Sequence, residues 1–101
     1  MSHQSVDPEN IAAVLRYLAQ HFSHHTLATF PDPEEPAQQV YRITGKGDSG
    51  LVRELAVSRA WLQETDVPQI AAKLKAHNVA EVLHTTREHQ VMLTAHGLHQ
   101  G

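Results

Sequence analysis

The 101-residue chain contains no cysteine, which excludes disulfide bonds, thiolate metal ligands and a cysteine nucleophile. No apolar run is long enough to span a membrane, and the polar N-terminal segment lacks the apolar core of a secretory signal. We therefore expect a cytoplasmic protein without a membrane partner. Lysine and arginine are also scarce, since only eight are dispersed along a chain of net charge -3. Nucleic acid backbones are bound by clustered positive charge, so nucleic acid is a disfavoured partner.

The remaining composition is that of an ordinary globular protein. Hydrophobic residues make up 41% of the chain and charged residues 19%, which favours a folded core over disorder. A chain of this length typically forms one domain and buries roughly two-thirds of its unfolded surface. We expect a single α+β domain over residues 1–101, with frayed ends.

The centre of the chain carries the clearest pattern, a glycine-rich segment between two alternating stretches. Residues 39–44 and 51–57 alternate with a period of two and include β-branched and aromatic residues, which is typical of strands. The segment GKGDSG at residues 45–50 therefore predicts a hairpin loop. Its G-x-G-x-x-G spacing matches a dinucleotide-binding turn, but such a turn must precede a helix, and here a strand is predicted.

A second motif overlaps this loop. The letters GDSG at residues 47–50 resemble the nucleophile segment of trypsin-like serine proteases, and TAH at residues 94–96 resembles their histidine segment. The two segments occur in the reverse of that family's order, and the chain is too short for the two barrels that assemble such a triad. We therefore predict no catalytic residue and no cofactor, and an enzymatic function is disfavoured.

The side chains of the two predicted strands favour one register. When Arg42 lies opposite Glu54, opposite charges meet on one face and Tyr41 meets Leu55 on the other. A slip of one residue would instead place Arg42 against Arg53. We therefore predict the first register, which directs four apolar residues to the core: Tyr41, Ile43, Leu55 and Val57.

The segment before the hairpin predicts a helix and then a long loop. Asp7 is a suitable N-cap for a helix over residues 8–22, in which apolar side chains recur every three or four positions. Residues 23–37 contain three prolines and three acidic residues, a composition that disfavours both helix and central strand. We predict a proline-rich acidic surface loop there.

The segment after the hairpin predicts helices and one more strand. Residues 58–64 suit a short helical turn, and residues 67–84 suit two helices that meet at residues 77–78. Residues 90–94 alternate as a strand does, and the chain beyond Gly97 is expected to fray.

Together these elements predict an α+β fold in which a small three-stranded antiparallel sheet carries two to three helices on one face. Such a sheet exposes its edges and one broad face, and a partner chain commonly covers them. We therefore predict a small protein-interaction module that binds a protein partner or forms a homodimer. The predicted interaction surface consists of Tyr41, Arg42, Ile43, Glu54 and Leu55.

A weak DNA-binding regulator is the first alternative function. The I-A-x-x-L pattern at residues 70–74 resembles the start of the first helix in many DNA-binding repressors, and residues 67–84 have the length of a helix-turn-helix. The second helix, however, offers no Arg, Lys, Asn or Gln before Arg87 to contact bases or phosphates.

A histidine-based metal-binding protein is the second alternative. The chain has nine histidines, and His21, His24 and His25 have a spacing that could group imidazoles if the first helix continued. No H-E-x-x-H motif accompanies them, so these three are candidate ligands on spacing alone. Because histidine titrates near neutral pH, we also expect acidification to change solubility or self-association more than the fold. Sedimentation at pH 5.5 and pH 7.5 would test that expectation.

Overall fold

The computed structural model describes residues 7–45, 52–86 and 90–100, which form four helices and one five-stranded sheet. The turn of the predicted hairpin, with its GDSG segment, lies outside the described residues, as does most of the turn predicted before residue 90. In chain order the elements are α1 (Pro8–His21), β1 (Thr26–Pro31), β2 (Gln38–Thr44), β3 (Val52–Ser58), α2 (Arg59–Glu64), α3 (Val67–Ala76), α4 (Val79–Thr85), β4 (Gln90–Thr94) and β5 (Gly97–Gln100).

Helix α1 begins and ends close to where the sequence predicts. The Asp7 side chain accepts a hydrogen bond from the backbone N–H of Glu9 at 2.9 Å, which satisfies one of the free donors at the helix start. At the other end, Phe22 is the C-cap, and its N–H donates to the carbonyl oxygen of Leu18 at 2.8 Å. The apolar stripe of α1 faces the core, where Val14 and Leu18 are fully buried.

The three helices after the hairpin also lie where they are predicted. The Ser58 side chain caps α2 by accepting from the N–H of Trp61 at 3.3 Å, and Trp61 is buried. Asn78 has a φ angle of 53° and separates α3 from α4. Asparagine tolerates this left-handed conformation better than most residues, which explains the helix end at this position.

The five strands lie in the order β1-β2-β3-β4-β5. The predicted register of β2 and β3 is confirmed, since Arg42 lies opposite Glu54 and Tyr41 lies opposite Leu55 in an antiparallel pair. The prediction of a three-stranded sheet is wrong in number, because the described residues contain five strands.

Strand β1 corrects the prediction of a loop over residues 23–37. Residues 26–31 pair with β2 in an antiparallel register, and Pro31 lies at the end of the strand opposite Gln39. Proline is tolerated here because β1 is an edge strand, in which one row of N–H groups has no ladder partner. The loop that remains is short, and the Asp32 side chain accepts from the N–H groups of Glu34 and Glu35 at 2.9 and 3.3 Å.

Strand β4 is present where predicted, but it pairs in parallel with β3, so the sheet is mixed rather than antiparallel. Three helices connect β3 to β4, and this connection returns the chain to the end of the sheet at which β3 begins. The alternation of residues within β4 does not indicate whether the strand pairs in parallel or antiparallel.

Strand β5 corrects the expectation that the chain frays after Gly97. Residues 97–100 pair antiparallel with β4 through a two-residue connection, and Gly97 adopts a φ of 112° that favours glycine. The side chain of Thr94 accepts from the N–H of His96 at 3.1 Å within this turn. Leu98 is partly buried and packs against the core, which ties the strand to the rest of the protein.

The helices pack against one face of the sheet. A single cluster of buried side chains joins all four helices to alternate positions of β2, β3 and β4. The number of helices is therefore four rather than two to three. The strand residues in this cluster include all four predicted core residues and two from β4: Tyr41, Ile43, Leu55, Val57, Val91 and Leu93.

Candidate functional site

The other face of the sheet carries no helix among the described elements, and we call it the open face. Its residues are those that alternate with the core positions in each strand. The cross-strand register aligns five of them in one row, one residue from each strand: Phe30, Val40, Ala56, Met92 and His99. Four of the five are apolar, so a band of apolar side chains crosses β1 to β4.

This apolar row is separate from the core. Val40 and Ala56 are only 2% and 1% exposed, yet neither belongs to the cluster that includes the helices. Phe30 and Met92, which flank them in the row, are partly exposed. The row therefore presents two large apolar side chains to solvent on either side of two small, closely covered ones.

A polar row runs beside the apolar one. Arg42 and Glu54 lie opposite each other and form an ion pair, with Nη2 2.8 Å and Nε 2.9 Å from the same carboxylate oxygen. The next residue in the row, Gln90, donates to the other oxygen of Glu54 at 3.4 Å. The guanidinium of Arg42 also lies 5.1 Å from the ring centroid of Phe30, within the range of a cation–π contact.

The ion pair is unevenly exposed. The side chain of Arg42 is 48% exposed and that of Glu54 only 12%. Because Arg42 remains about half exposed to solvent, we expect the pair to contribute in the range of surface pairs, roughly 0.2–1 kcal/mol. Their fixed positions nevertheless give the open face a defined pattern of one cation next to one anion, and such patterns select partners.

The structure divides the predicted interaction surface between the two faces. Tyr41, Ile43 and Leu55 are buried beneath the helices, with 0%, 1% and 0% exposure. Arg42 and Glu54 lie on the open face, where the side chain of Arg42 is about half exposed and that of Glu54 is mostly covered. A contact surface on the open face is therefore formed by Arg42, Glu54 and their neighbours. The buried residues Tyr41, Ile43 and Leu55 do not take part in it.

Phe30 and Met92 are surface residues that the sequence patterns do not identify. Phe30 lies in the segment TLATF, whose β-branched and aromatic residues are a strand signal that the nearby prolines obscure. The position of Met92 beside Ala56 depends on the parallel pairing of β4. No local pattern indicates that pairing.

Tyr41 has a structural role on the covered face. Its hydroxyl donates to the backbone carbonyl of Ile11 at 3.1 Å and so joins β2 to α1. Burial raises the pKa of the Tyr41 hydroxyl well above its ordinary value, while a hydrogen bond with Thr29 and the charge of Arg59 act in the opposite direction. The side chain therefore stays neutral.

The three histidines predicted as possible metal ligands are not brought together. The ring of His21 lies 4.6 Å from that of Tyr17, and the ring of His25 lies edge-on to Phe22 at 5.3 Å. His24 is exposed. Within residues 7–45, 52–86 and 90–100, no group of three or more histidines and carboxylates is placed to hold a metal ion.

The segment predicted as a helix-turn-helix does form two consecutive helices, α3 and α4. The second of them has seven residues, of which Val79, Ala80 and Leu83 are buried. Its exposed residues include Glu81 and His84, and the acidic side chain would repel phosphates. The seven residues of α4 therefore include no lysine or arginine that could contact DNA phosphates, in line with what the sequence predicts.

Comparison with known proteins gives no family for this chain. No protein-family model matches it, and neither curated proteins nor solved structures provide a significant match. No helix in the described segments is both long and apolar enough to cross a membrane.

Proposed function

We propose that this chain is a protein-interaction module that binds a second copy of itself through the open face of its sheet. The observation that carries the proposal is the pair of adjacent rows on that face. One row is apolar across four strands, and the other places Arg42 beside Glu54.

The two rows are self-complementary under a two-fold rotation. An axis parallel to the strands, above the gap between β2 and β3, places β2 of one copy over β3 of the other. Because the axis is parallel to the strands, the rotation does not change a residue's position along the strand direction. The apolar row of one copy therefore faces the apolar row of the other, and the polar row faces the polar row. Arg42 of each copy then meets Glu54 of the other, as a closed isologous interface requires.

The apolar row also fits this arrangement. The same rotation sets β1 over β4, so the ring of Phe30 faces Met92 of the second copy, a pair that makes favourable sulfur–aromatic contacts. Between these contacts the small pair Val40 and Ala56 allows the sheets to approach. Packed sheets lie about 10 Å apart, a spacing that two layers of such side chains fill.

A cytoplasmic location is part of the same proposal. The absence of cysteine fits a reducing compartment, since disulfides do not contribute to this fold. Because the net charge is modest, electrostatic repulsion between two copies is weak and does not oppose dimer formation.

Sedimentation velocity over a wide concentration range tests the proposal, with the variant Met92→Lys as the probe. We expect the wild type to sediment as a dimer and Met92→Lys as a monomer, because the substitution places a charge against the Phe30 ring of the second copy. Ala72→Lys is the matched control. It introduces the same side chain at an exposed position of α3, and it should sediment as the wild type does.

A wild type that remains monomeric at every concentration would contradict the proposal. So would a dimer in which Met92→Lys and Ala72→Lys sediment identically, since the contact would then lie elsewhere. Circular dichroism of each variant shows whether it is folded. If Met92→Lys unfolds, Phe30→Lys tests the opposite end of the same row.

A further inference from the structure

A groove of about 590 Å³ lies between α1 and the pair α3 and α4. Its volume falls within the range of small-molecule sites, which are typically 300–1,000 Å³. We infer that this groove binds a small apolar molecule that carries one carboxylate group. The inference is independent of the proposed dimer.

The floor of the groove is apolar because its side chains are small or have their polar atoms engaged. Ala71 of α3 and Ala80 of α4 leave space that larger residues would fill. The hydroxyl of Tyr17 accepts from the N–H of Ala80 at 3.1 Å and donates to the carbonyl of Leu74 at 3.5 Å. Its ring therefore lines the groove without a free polar group.

The same contacts make the floor rigid. The N–H of Ala80 lies in the first turn of α4, and the carbonyl of Leu74 lies in the last turn of α3, where neither group has a partner within its own helix. By bonding both groups, Tyr17 holds α1, α3 and α4 in fixed relative positions. A preformed groove binds a ligand without the cost of ordering its walls.

The rim of the groove supplies mainly hydrogen-bond donors. Lys75 provides a cation, and the imidazoles of His21 and His84 provide ring N–H groups. Both rings are positioned by aromatic neighbours, since His21 lies 4.6 Å from Tyr17 and His84 stacks on Phe22 at 4.3 Å. Three donors that line the same groove, together with its apolar floor, suit a carboxylate on a hydrocarbon body.

Glu81 is the acidic residue of the rim and sets a second feature of the ligand. A carboxylate that contacts Lys75 must stay clear of Glu81, because like charges repel. A ligand with two negative charges would therefore bind less well than one with a single charge. A cationic analogue would also bind less well, because it could contact Glu81 but would lose its contacts with the three donors.

The binding experiment uses three probes that share one ring system: naphthalene-2-carboxylate, 2-naphthol and 2-naphthylmethylamine. Each is titrated into the full chain and followed through the amide resonances of the ¹⁵N-labelled protein. We expect the carboxylate to bind most tightly, with its largest shifts at Ala71 and Ala80. Equal affinity for all three probes, or largest shifts on the open face, would overturn the inference.

Paired variants test whether the groove residues act as proposed. Lys75→Ala should weaken binding of the carboxylate by roughly tenfold, the usual effect of losing a hydrogen bond to a charged group. Lys73→Ala, which removes a lysine of the same helix outside the groove lining, should leave it unchanged. Glu81→Gln should tighten binding because it removes the repulsion. Equal losses in the two lysine variants would contradict the assignment.

A second pair tests the space itself. Ala71→Leu should fill the groove and abolish binding, whereas Ala72→Leu, at the next exposed position of α3, should have no effect. Leucine and alanine are both good helix formers, so each variant should fold. Retained affinity in Ala71→Leu would show that the probe binds elsewhere.

Discussion

The two faces of the sheet are formed by alternating residues of the same strands, yet they differ in what covers them. On the covered face, Leu55 and Leu93 are fully buried beneath four helices. On the open face, the neighbouring Glu54 and Met92 keep part of their surface in contact with solvent. The period of two thus separates a face that packs against the helices from a face that no described helix covers.

The largest expected effect distinguishes the two faces within a single strand. Leu93→Ala should reduce the free energy of unfolding by about 2–5 kcal/mol, because it leaves a cavity in the core. Met92→Ala, at the adjacent position on the open face, should cost less than about 1 kcal/mol. Urea unfolding of both variants at low protein concentration measures the difference, and similar losses would show that the open face is also part of the core.

The next effect concerns the attachment of the helical layer. The side chain of Asn10 in α1 donates to the carbonyl groups of Leu62 and Thr65, at 2.5 and 3.0 Å, and it is buried. Asn10→Ala should cost about 1–3 kcal/mol, since two carbonyl groups lose their donor. Arg16→Ala, at an exposed position of the same helix, is the control. Equal denaturation midpoints for the two variants would contradict this role of Asn10.

The third effect depends on pH and involves Tyr41 on the covered face. Burial raises the pKa of its hydroxyl, so the folded state retains the proton more tightly than the unfolded state. The Tyr41 hydroxyl therefore makes its full contribution to the free energy of unfolding below pH about 10, the ordinary tyrosine pKa. This contribution falls as the pH rises from there toward the higher pKa of the folded state.

The variant Tyr41→Phe isolates that contribution. It should cost about 1 kcal/mol at neutral pH, because the bond to the carbonyl of Ile11 is lost. Above pH about 10 the difference in free energy of unfolding between the wild type and the variant should narrow. Only the wild type carries the Tyr41 hydroxyl, so only the wild type loses stability when that group ionises in the unfolded state. Urea titrations from neutral to alkaline pH measure this difference. A difference that stays constant or widens would indicate that Tyr41 ionises as readily when folded.

The smallest effect belongs to the ion pair on the open face. A double-mutant cycle with Arg42→Ala, Glu54→Ala and the combined variant should give a coupling of about 0.2–1 kcal/mol within one copy, weakened by added salt. Urea unfolding at low protein concentration keeps contributions from a second copy out of the result. A coupling well above this range would mean that the pair stabilises the fold more than its exposure implies.

Sequence patterns predicted the parts of this fold that depend on near neighbours. The Asp7 cap, the turn at Asn78 and the register that pairs Arg42 with Glu54 follow from local chemistry. The parallel placement of β4 depends on the path of three helices, which no single segment encodes. The sequence does not predict strand β1, because Pro31 and the two prolines that follow it disfavour a central strand, whereas an edge strand that ends at Pro31 tolerates proline.

The same limit applies to the candidate sites. The sequence identifies Arg42 and Glu54 because their opposite charges favour one register of two neighbouring strands. Phe30 and Met92 lie on the same face as this pair only because of the order in which β1 and β4 join the sheet. The groove beside Tyr17 brings together three helices that are distant in sequence. Its residues have no motif, and only the packing of the helices reveals them.

The central claim is that the open face binds a second copy through reciprocal contacts of Arg42 and Glu54, and mixing two charge-reversal variants tests it most directly. Arg42→Glu and Glu54→Arg should each sediment as monomers, because each places like charges opposite each other in its own dimer. An equal mixture should sediment as a dimer, since every contact then joins opposite charges. A mixture that remains monomeric while the wild type is dimeric, or single variants that dimerise as the wild type does, would contradict the account.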